Sequence, residues 1–297
     1  MANLKEVRDR IQSVISTQQI TKAMKLVAAS KLRKAQQAVL QLRPYSQKLN
    51  AILSNIVSTM QDDDDASVFG TERVVKKVCI VVITSNRGLC GAFNTNVIKA
   101  AKAIIDTKYQ EQYQQGQLTF LFIGKKGKDV LAKRFPNAHC ITDYVELVGK
   151  EFSSNDSMPI AERLMNSFVH EEFDAVEIAY ARFRNAAMQD YEVEAFLPLQ
   201  KSEKTVETAF DSDFIFEPQK EELLAHLIPA VLKTQFHKTI LDSTASEHGA
   251  RMTAMDKATD NAEELLKELR INYNKARQEA ITTELGEIVG GAAALEA

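Results

Sequence analysis

Two glycine-bearing loops are where residue types and spacing in this sequence come nearest to chemistry. Ser85-Asn86-Arg87-Gly88-Leu89-Cys90-Gly91-Ala92-Phe93-Asn94 follows an apolar run over 76–84, and Gly124-Lys125-Lys126-Gly127 follows a second over 118–123. Loops that leave buried strands and open helices are the ligand-binding ends of open α/β sheets. Neither loop carries a phosphate-binding pattern, however. There is no GxxxxGKS/T, and Gly88 to Gly91 lacks the three-glycine spacing of a dinucleotide fingerprint. The two glycines read instead as tight-turn residues. His139, His170, His226, His237 and His248 are scattered, without HxxxH or HExxH spacing, and no serine sits in GxSxG. Cys79, Cys90 and Cys140 show no CxxC spacing and read as thiols of a reduced compartment. The residues predict a non-catalytic chain with no cofactor and no metal.

The elements that would position these loops form a compact α/β segment. The β-branched run at 76–84 predicts a strand buried on both faces, and the run at 118–123 a second. Further strands are expected near 139–142, 174–181 and 191–197, with helices over 95–106, near 128–134 and over 157–171. Strands alternating with helices predict a mostly parallel, doubly wound sheet.

On either side lie long helix-forming tracts of opposite charge. Residues 1–60 hold 10 Lys/Arg against 2 Asp/Glu, and residues 211–297 hold 9 against 16, for nets of +8 and −7. With −3 over all 297 residues, general nucleic-acid binding is disfavoured. The first tract carries alternating three- and four-residue apolar steps at Leu4, Val7, Ile11 and Val14, then again at Ala28, Leu32, Ala35, Val39 and Leu42. Between them the stripe turns polar at Gln18, Thr21 and Lys25, while apolar residues move to Ile15, Ile20, Met24 and Val27. Pro44 marks a bend or local kink, and Asp62–Asp65 a solvated loop that ends the tract.

The last tract has a start signal at Glu217-Pro218 and an expected bend or short break at Pro229. Its stripe runs through Met252, Met255, Thr259, Ala262, Leu266, Leu269, Tyr273, Ala276 and Ala280. The final turns, Ile288 to Leu295, are small and apolar. Helices over 2–58 and 217–293 would be roughly 85 and 115 Å long, so the second overshoots the first. Residues 1–60 and 211–297 are therefore expected to pair as a long antiparallel coiled coil beside an α/β domain over 74–200. No apolar stretch reaches the ~18 residues of a membrane span. The opening residues resemble neither a signal nor a transit peptide.

Several stretches resemble the gamma-subunit family of bacterial F-type ATP synthases. They are Gln19 to Arg33, Ser85 to Asn94, Glu247 to Met255, Ala258 to Ala262 and Tyr273 to Glu284, in the family's order along the whole chain. The resemblance implies a Rossmann-like domain beside the coiled coil. It also implies a rotating shaft inside a ring of three alpha and three beta subunits, with a foot on the epsilon subunit and the membrane c ring. Proton flow would turn the shaft, ATP would be made on the beta subunits, and the membrane would be met only through the c ring. The expected location is peripheral, on the cytoplasmic face of a bacterial cell membrane.

By the same resemblance, Met24, Lys25, Cys90 and Arg251 correspond to contacts with a lever of the beta subunit. Arg277, Gln278, Thr282, Glu284 and Glu287 correspond to contacts with its catch region. Phe210, Asp211, Asp213 and Phe214, within the variable segment 201–214, are expected near epsilon or the c ring. The basic set Lys22, Lys25, Lys31 and Lys34 suits an acidic lever, or simply solvates its helix. Two other classes stay open on the residues alone: a nucleotide-binding enzyme using the α/β domain, and a static coiled-coil scaffold. The scaffold reading predicts an unbroken apolar stripe and a polar C-terminus; the enzyme reading predicts ATP binding by the isolated chain.

Overall fold

A computed structural model describes residues 4–58, 68–70, 73–149, 152–199 and 220–296. Asp62–Asp65, Glu217-Pro218 and the segment 201–214 lie outside the described residues.

Helix α1 spans Leu4–Ser58. Strand β1, Val78–Ile83, leads through the first glycine loop into α2, Phe93–Lys108, and the short α3, Gln110–Gln114. Strand β2, Leu118–Ile123, is followed by α4, Lys125–Arg134, and by β3, His139–Ile141. Helix α5, Ser154–Val169, then precedes β4, Ala175–Phe183, and β5, Gln189–Leu197. Helix α6 runs over Lys220–Glu296. Neither Pro44 nor Pro229 ends its helix, so the break expected at Pro229 does not occur.

The sheet has the order β3-β2-β1-β4-β5. β1, β2, β3 and β4 are parallel neighbours, whereas β5 pairs antiparallel with β4. The chain forces that reversal, because the connection from Phe183 to Gln189 is far too short for a parallel crossover. Side chains alternate across β1 with a period of two. Val78, Ile80 and Val82 pack with Phe93, Val97, Ala101 and Ile105 of α2, while Cys79, Val81 and Ile83 face the other way. That second face is covered by Ile160, Leu164 and Phe168 of α5 and by Ile228, Leu232, Phe236 and Ile240 of α6. The continuous apolar runs of β1 and β2 thus have a physical reason: both strands are covered on both faces.

The chain forms two compact units, Met1–Ala28 with Arg251–Ala297, and Ala29–Ala250. In the first, α1 and α6 run antiparallel: Thr21 shares a hydrogen bond of 2.9 Å with Thr259, and Lys25 pairs with Asp256. Met255, Ala262, Leu266 and Leu269 are buried on α6, and Val7 and Ala28 are buried on α1. The polar residues Thr21 and Lys25 therefore belong to the inward stripe, and each finds its own partner across it, Thr259 and Asp256 respectively. Ile20, Leu26 and Val27 are exposed. In the second unit, the capping box of Ser153 and Asp156 starts α5, and Ser157 bonds His237 at 2.7 Å, tying α5 to α6.

Candidate functional site

The first glycine loop is built from β1 outward. Beyond Ile83, the Ser85 amide donates to Asn94 Oδ1 at 3.0 Å, and Asn94 Nδ2 donates back to Ser85 Oγ at 2.8 Å. Ser85 Oγ in turn donates to the Arg87 carbonyl at 2.6 Å, and Asn94 Nδ2 also reaches Cys90 Sγ at 3.2 Å. These bonds close the loop on itself. Leu89 and Gly91 take left-handed conformations with φ of 63° and 58°. Cys90 is only 1% exposed, whereas Leu89 is 64% exposed.

The second glycine loop locks onto the first. The Lys125 amide donates to Asn86 Oδ1 at 3.0 Å, the Lys126 amide to the Ser85 carbonyl at 3.1 Å, and the Gly127 amide to Thr84 Oγ1 at 2.9 Å. Gly124 has φ of 102°, and a Cβ there would lie 1.9 Å from the Thr84 carbonyl oxygen, so only glycine fits. The first three amides of α4 are the donors that would cradle a phosphate at a helix N-terminus. Here they are taken up by protein acceptors, and the pair of loops is a brace.

On the paired helices, Met24 and Arg251 are half-buried, and Lys25 holds Asp256. These three residues lie in the first compact unit and Cys90 in the second. The Cys90 thiol is enclosed by Asn94 and Ser85, while Arg87, Leu89, Gly91 and Ala92 of its loop are exposed. The α6 stripe stays at least partly covered as far as Ala280. Beside that stripe Arg277 and Gln278 are exposed, and beyond it Thr282, Glu284 and Glu287 are exposed, as are Ile281, Leu285, Ile288 and Val289. Gln278 and Thr282 share one side of a shallow depression with Lys275, Glu279 and Thr283. Phe210, Asp211, Asp213 and Phe214 lie outside the described residues.

One group escaped sequence reasoning. Asp242 of α6 is 5% exposed, and burial pushes its carboxyl up to about 6. Lys238, Arg43 and Arg182 pull it back toward ionisation, while Glu194 of β5 opposes them. Nothing in the α6 sequence marks this aspartate as more buried than Asp256 and Asp260 further along the helix, which are partly and fully exposed. Asn86 and Asn94 also escaped, although an asparagine within a glycine loop is itself a signal of local backbone bonding.

A family model described as ATP synthase matches residues 3–295. The chain is 52% identical to the ATP synthase gamma chain of Flavobacterium psychrophilum, covering 100% of both sequences. It is 50% identical to that of Cytophaga hutchinsonii, covering 99% of both. Its fold resembles a chain in the structure of the Euglena gracilis mitochondrial ATP synthase OSCP/F1/c-ring, with a TM-score of 0.67 at 23% identity, covering 98% of this chain and 94% of that one. A doubly wound sheet joined to two long terminal helices, matched from end to end, leaves no part of the chain outside the likeness: it belongs to the ATP synthase gamma chain family.

Proposed function

We infer that this chain is the central rotor shaft of a proton-driven F-type ATP synthase. Residues 1–60 and 211–297 serve as the shaft and 74–200 as the foot. The shaft turns within three alpha and three beta subunits, and the foot meets epsilon and the c ring, through which alone the chain contacts the membrane. That places it on the cytoplasmic face of a bacterial membrane. The chain itself makes no ATP; it carries torque from the ring of c subunits to the catalytic sites of beta.

The observation that carries this reading is the full-length match to gamma chains at about half identity. The helices add support. The exposed Leu26 stands one turn from the exposed Lys22 on α1, a mixed patch suited to an acidic, apolar partner segment, while Ile20 and Val27 expose a separate apolar patch on the same helix. Met24, Lys25, Arg251 and the Cys90 loop are assigned to the beta lever. Cys90 acts there through the loop it holds, since its own thiol is enclosed. Arg277, Gln278, Thr282, Glu284 and Glu287 are assigned to the beta catch, and Phe210, Asp211, Asp213 and Phe214 to epsilon or the c ring.

The deciding experiment is co-expression with alpha and beta subunits, comparing ATPase turnover with that of alpha and beta alone. A stable complex with strongly enhanced turnover, lost when Met24 and the residues after Tyr273 are disrupted together, is the expected result. Failure to join the complex, with ATP bound by the isolated chain instead, would establish the nucleotide-binding alternative.

A further inference from the structure

Helix α6 meets the sheet through two stripes of residues. Ile228, Leu232, Phe236 and Ile240 pack into the apolar core on one face. Gln235, Asp242, Ser246 and Gly249 follow one another at steps of seven, four and three, so they share a side of the helix. Their contacts climb the β4–β5 ribbon from its middle to its turn. Gln235 Nε2 donates to Glu194 Oε1 on β5 at 2.7 Å, and Tyr180 Oη on β4 holds the other oxygen of that carboxylate at 2.8 Å. Asp242 lies in the fields of Glu194 and of Arg182 on β4. Ser246 Oγ, fully buried, donates to the Ala181 carbonyl at 3.0 Å. At the turn, a Cβ on Gly249 would lie 3.2 Å from Ala186 Cα, so glycine lets helix and turn approach closely.

The two stripes hold α6 in different ways. Apolar burial is non-directional, whereas a hydrogen bond weakens steeply once its donor swings off line. The polar stripe adds little stability, since each such bond contributes only about 0.5–1.5 kcal/mol net. What it adds is a fixed rotational setting of the helix. We propose that Gln235 and Ser246, seated on Glu194 and on the Ala181 carbonyl, key α6 to the β4–β5 ribbon, and that torque passes from the foot to the shaft at this ribbon. The proposal rests on the reading of the chain as a rotor. Helix α6 runs unbroken over Lys220–Glu296, so a turn imposed on residues 235–249 is carried along its backbone. Gln235 and Ser246 are positioning residues that act through α6. Tyr180 braces the acceptor from the strand side, and the close approach at Gly249 ends the keyed stretch.

Torsional stiffness separates a key from ordinary packing. The full chain is assembled with alpha and beta subunits, the ring is fixed to a surface, and a rod is attached to the foot through the exposed thiol of Cys140, Cys79 and Cys90 being buried. Without nucleotide, the angular variance of the rod reports how stiffly the foot is joined to the held shaft. In the double variant Gln235→Met with Ser246→Ala, half of the keyed positions lose their bond, so the variance is expected to rise about twofold while ATPase turnover stays at the parent value. Ile240→Val is the control: it costs ~0.5–1.5 kcal/mol of packing in the same helix and leaves the key intact, so it should melt lower than the parent with unchanged variance. Parent-like variance in the double variant, or an equal rise in Ile240→Val, would overturn the proposal and leave the rotor reading standing. Should the double variant fail to assemble, Tyr180→Phe removes only the brace on Glu194; a smaller rise is then expected, and parent-like variance would again overturn the proposal. If the parent chain forms no complex, or its rod does not turn when ATP is added, the rotor reading fails and this proposal falls with it.

Discussion

Asp242 sets a pH dependence whose sign and size follow from where it lies. The carboxyl is 5% exposed on α6, and burial raises it to about 6. The charges that face it come from four elements: Lys238 on α6 itself, Arg43 on α1, Arg182 on β4 and Glu194 on β5. Glu194 is held in turn by Tyr180 Oη at 2.8 Å and Gln235 Nε2 at 2.7 Å. In the unfolded chain the same carboxyl titrates near 3.9. Between those two values the folded state binds the proton that the unfolded state has already lost, so stability falls as pH rises through the window. The full gap corresponds to roughly 3 kcal/mol, and relaxation around a buried group makes this an upper figure.

Asp242→Asn removes that penalty. At pH 7.5 the variant should be more stable than the parent by about 1–3 kcal/mol, or roughly 3–8 °C in melting temperature for a chain of this size. Toward pH 4 and below, where the folded carboxyl is protonated and the unfolded one becomes so, the advantage should shrink toward zero. The assay is thermal unfolding of parent and variant chains from pH 4 to 7.5, read as the difference at each pH so that the other carboxylates cancel. A variant less stable than the parent at pH 7.5, or a difference independent of pH, would refute the argument. It would mean that Lys238, Arg43 and Arg182 hold the carboxylate more strongly than burial opposes it.

Other consequences can be checked directly. Gly124→Ala should destabilise the chain by about 3 kcal/mol or more and reduce soluble yield, because the new methyl meets the Thr84 carbonyl at 1.9 Å on a backbone with φ of 102°. In the native chain one thiol should react quickly with a bulky thiol reagent, and Cys140→Ser should abolish that reaction, since Cys79 and Cys90 are buried and Cys140 is exposed. Phe236→Ala should cost about 3–5 kcal/mol in urea unfolding, as its ring is fully buried in the core and packs 5.7 Å from that of Phe196 on β5. Single changes at Met24 or Arg277 should weaken coupled ATP synthesis in the assembled complex without abolishing it. Each charge crossing the membrane supplies ~2.3 kcal/mol per 100 mV, against ~0.2–1 kcal/mol for an exposed ion pair, so torque must be spread over many contacts. Complete uncoupling by one conservative change would contradict that.

The parts of the fold legible in the sequence are those where one face or both faces of an element are fully apolar. Val78–Ile83 and Leu118–Ile123 read as buried strands and are buried strands. The α6 stripe from Met252 to Ala280 reads as a seam and is at least partly covered throughout. What sequence reasoning missed is polar and long-range. Thr21 and Lys25 look like an interruption of the seam because a stripe is recognised by its apolar residues. Only the facing Thr259 and Asp256, more than 230 positions away, make them part of it. The direction of β5 was likewise hidden, since a run of residues looks the same read either way and only the short connection reverses it. At the candidate site, Cys90 was singled out by the family resemblance and not by its type, and its thiol turns inward to Asn94, while the exposed residue beside it is an ordinary leucine whose distinction is its φ.

The far end of α6 exposes apolar side chains over several turns. From Ile281 to Ala292 every residue is exposed, yet α6 continues to Glu296. A helix of such length without a packed face is marginal in water, because helical stability in proteins comes mainly from burial. Ile281, Leu285, Ile288 and Val289 supply apolar surface that this chain does not cover. The proposed ring would cover it, and the small residues Gly290, Gly291 and Ala292 would limit how tightly any surrounding sleeve could grip. A static scaffold would favour interlocking large side chains at its tip. The tip of this helix is instead apolar enough to be enclosed and too smooth to be held, which is the combination a turning shaft requires.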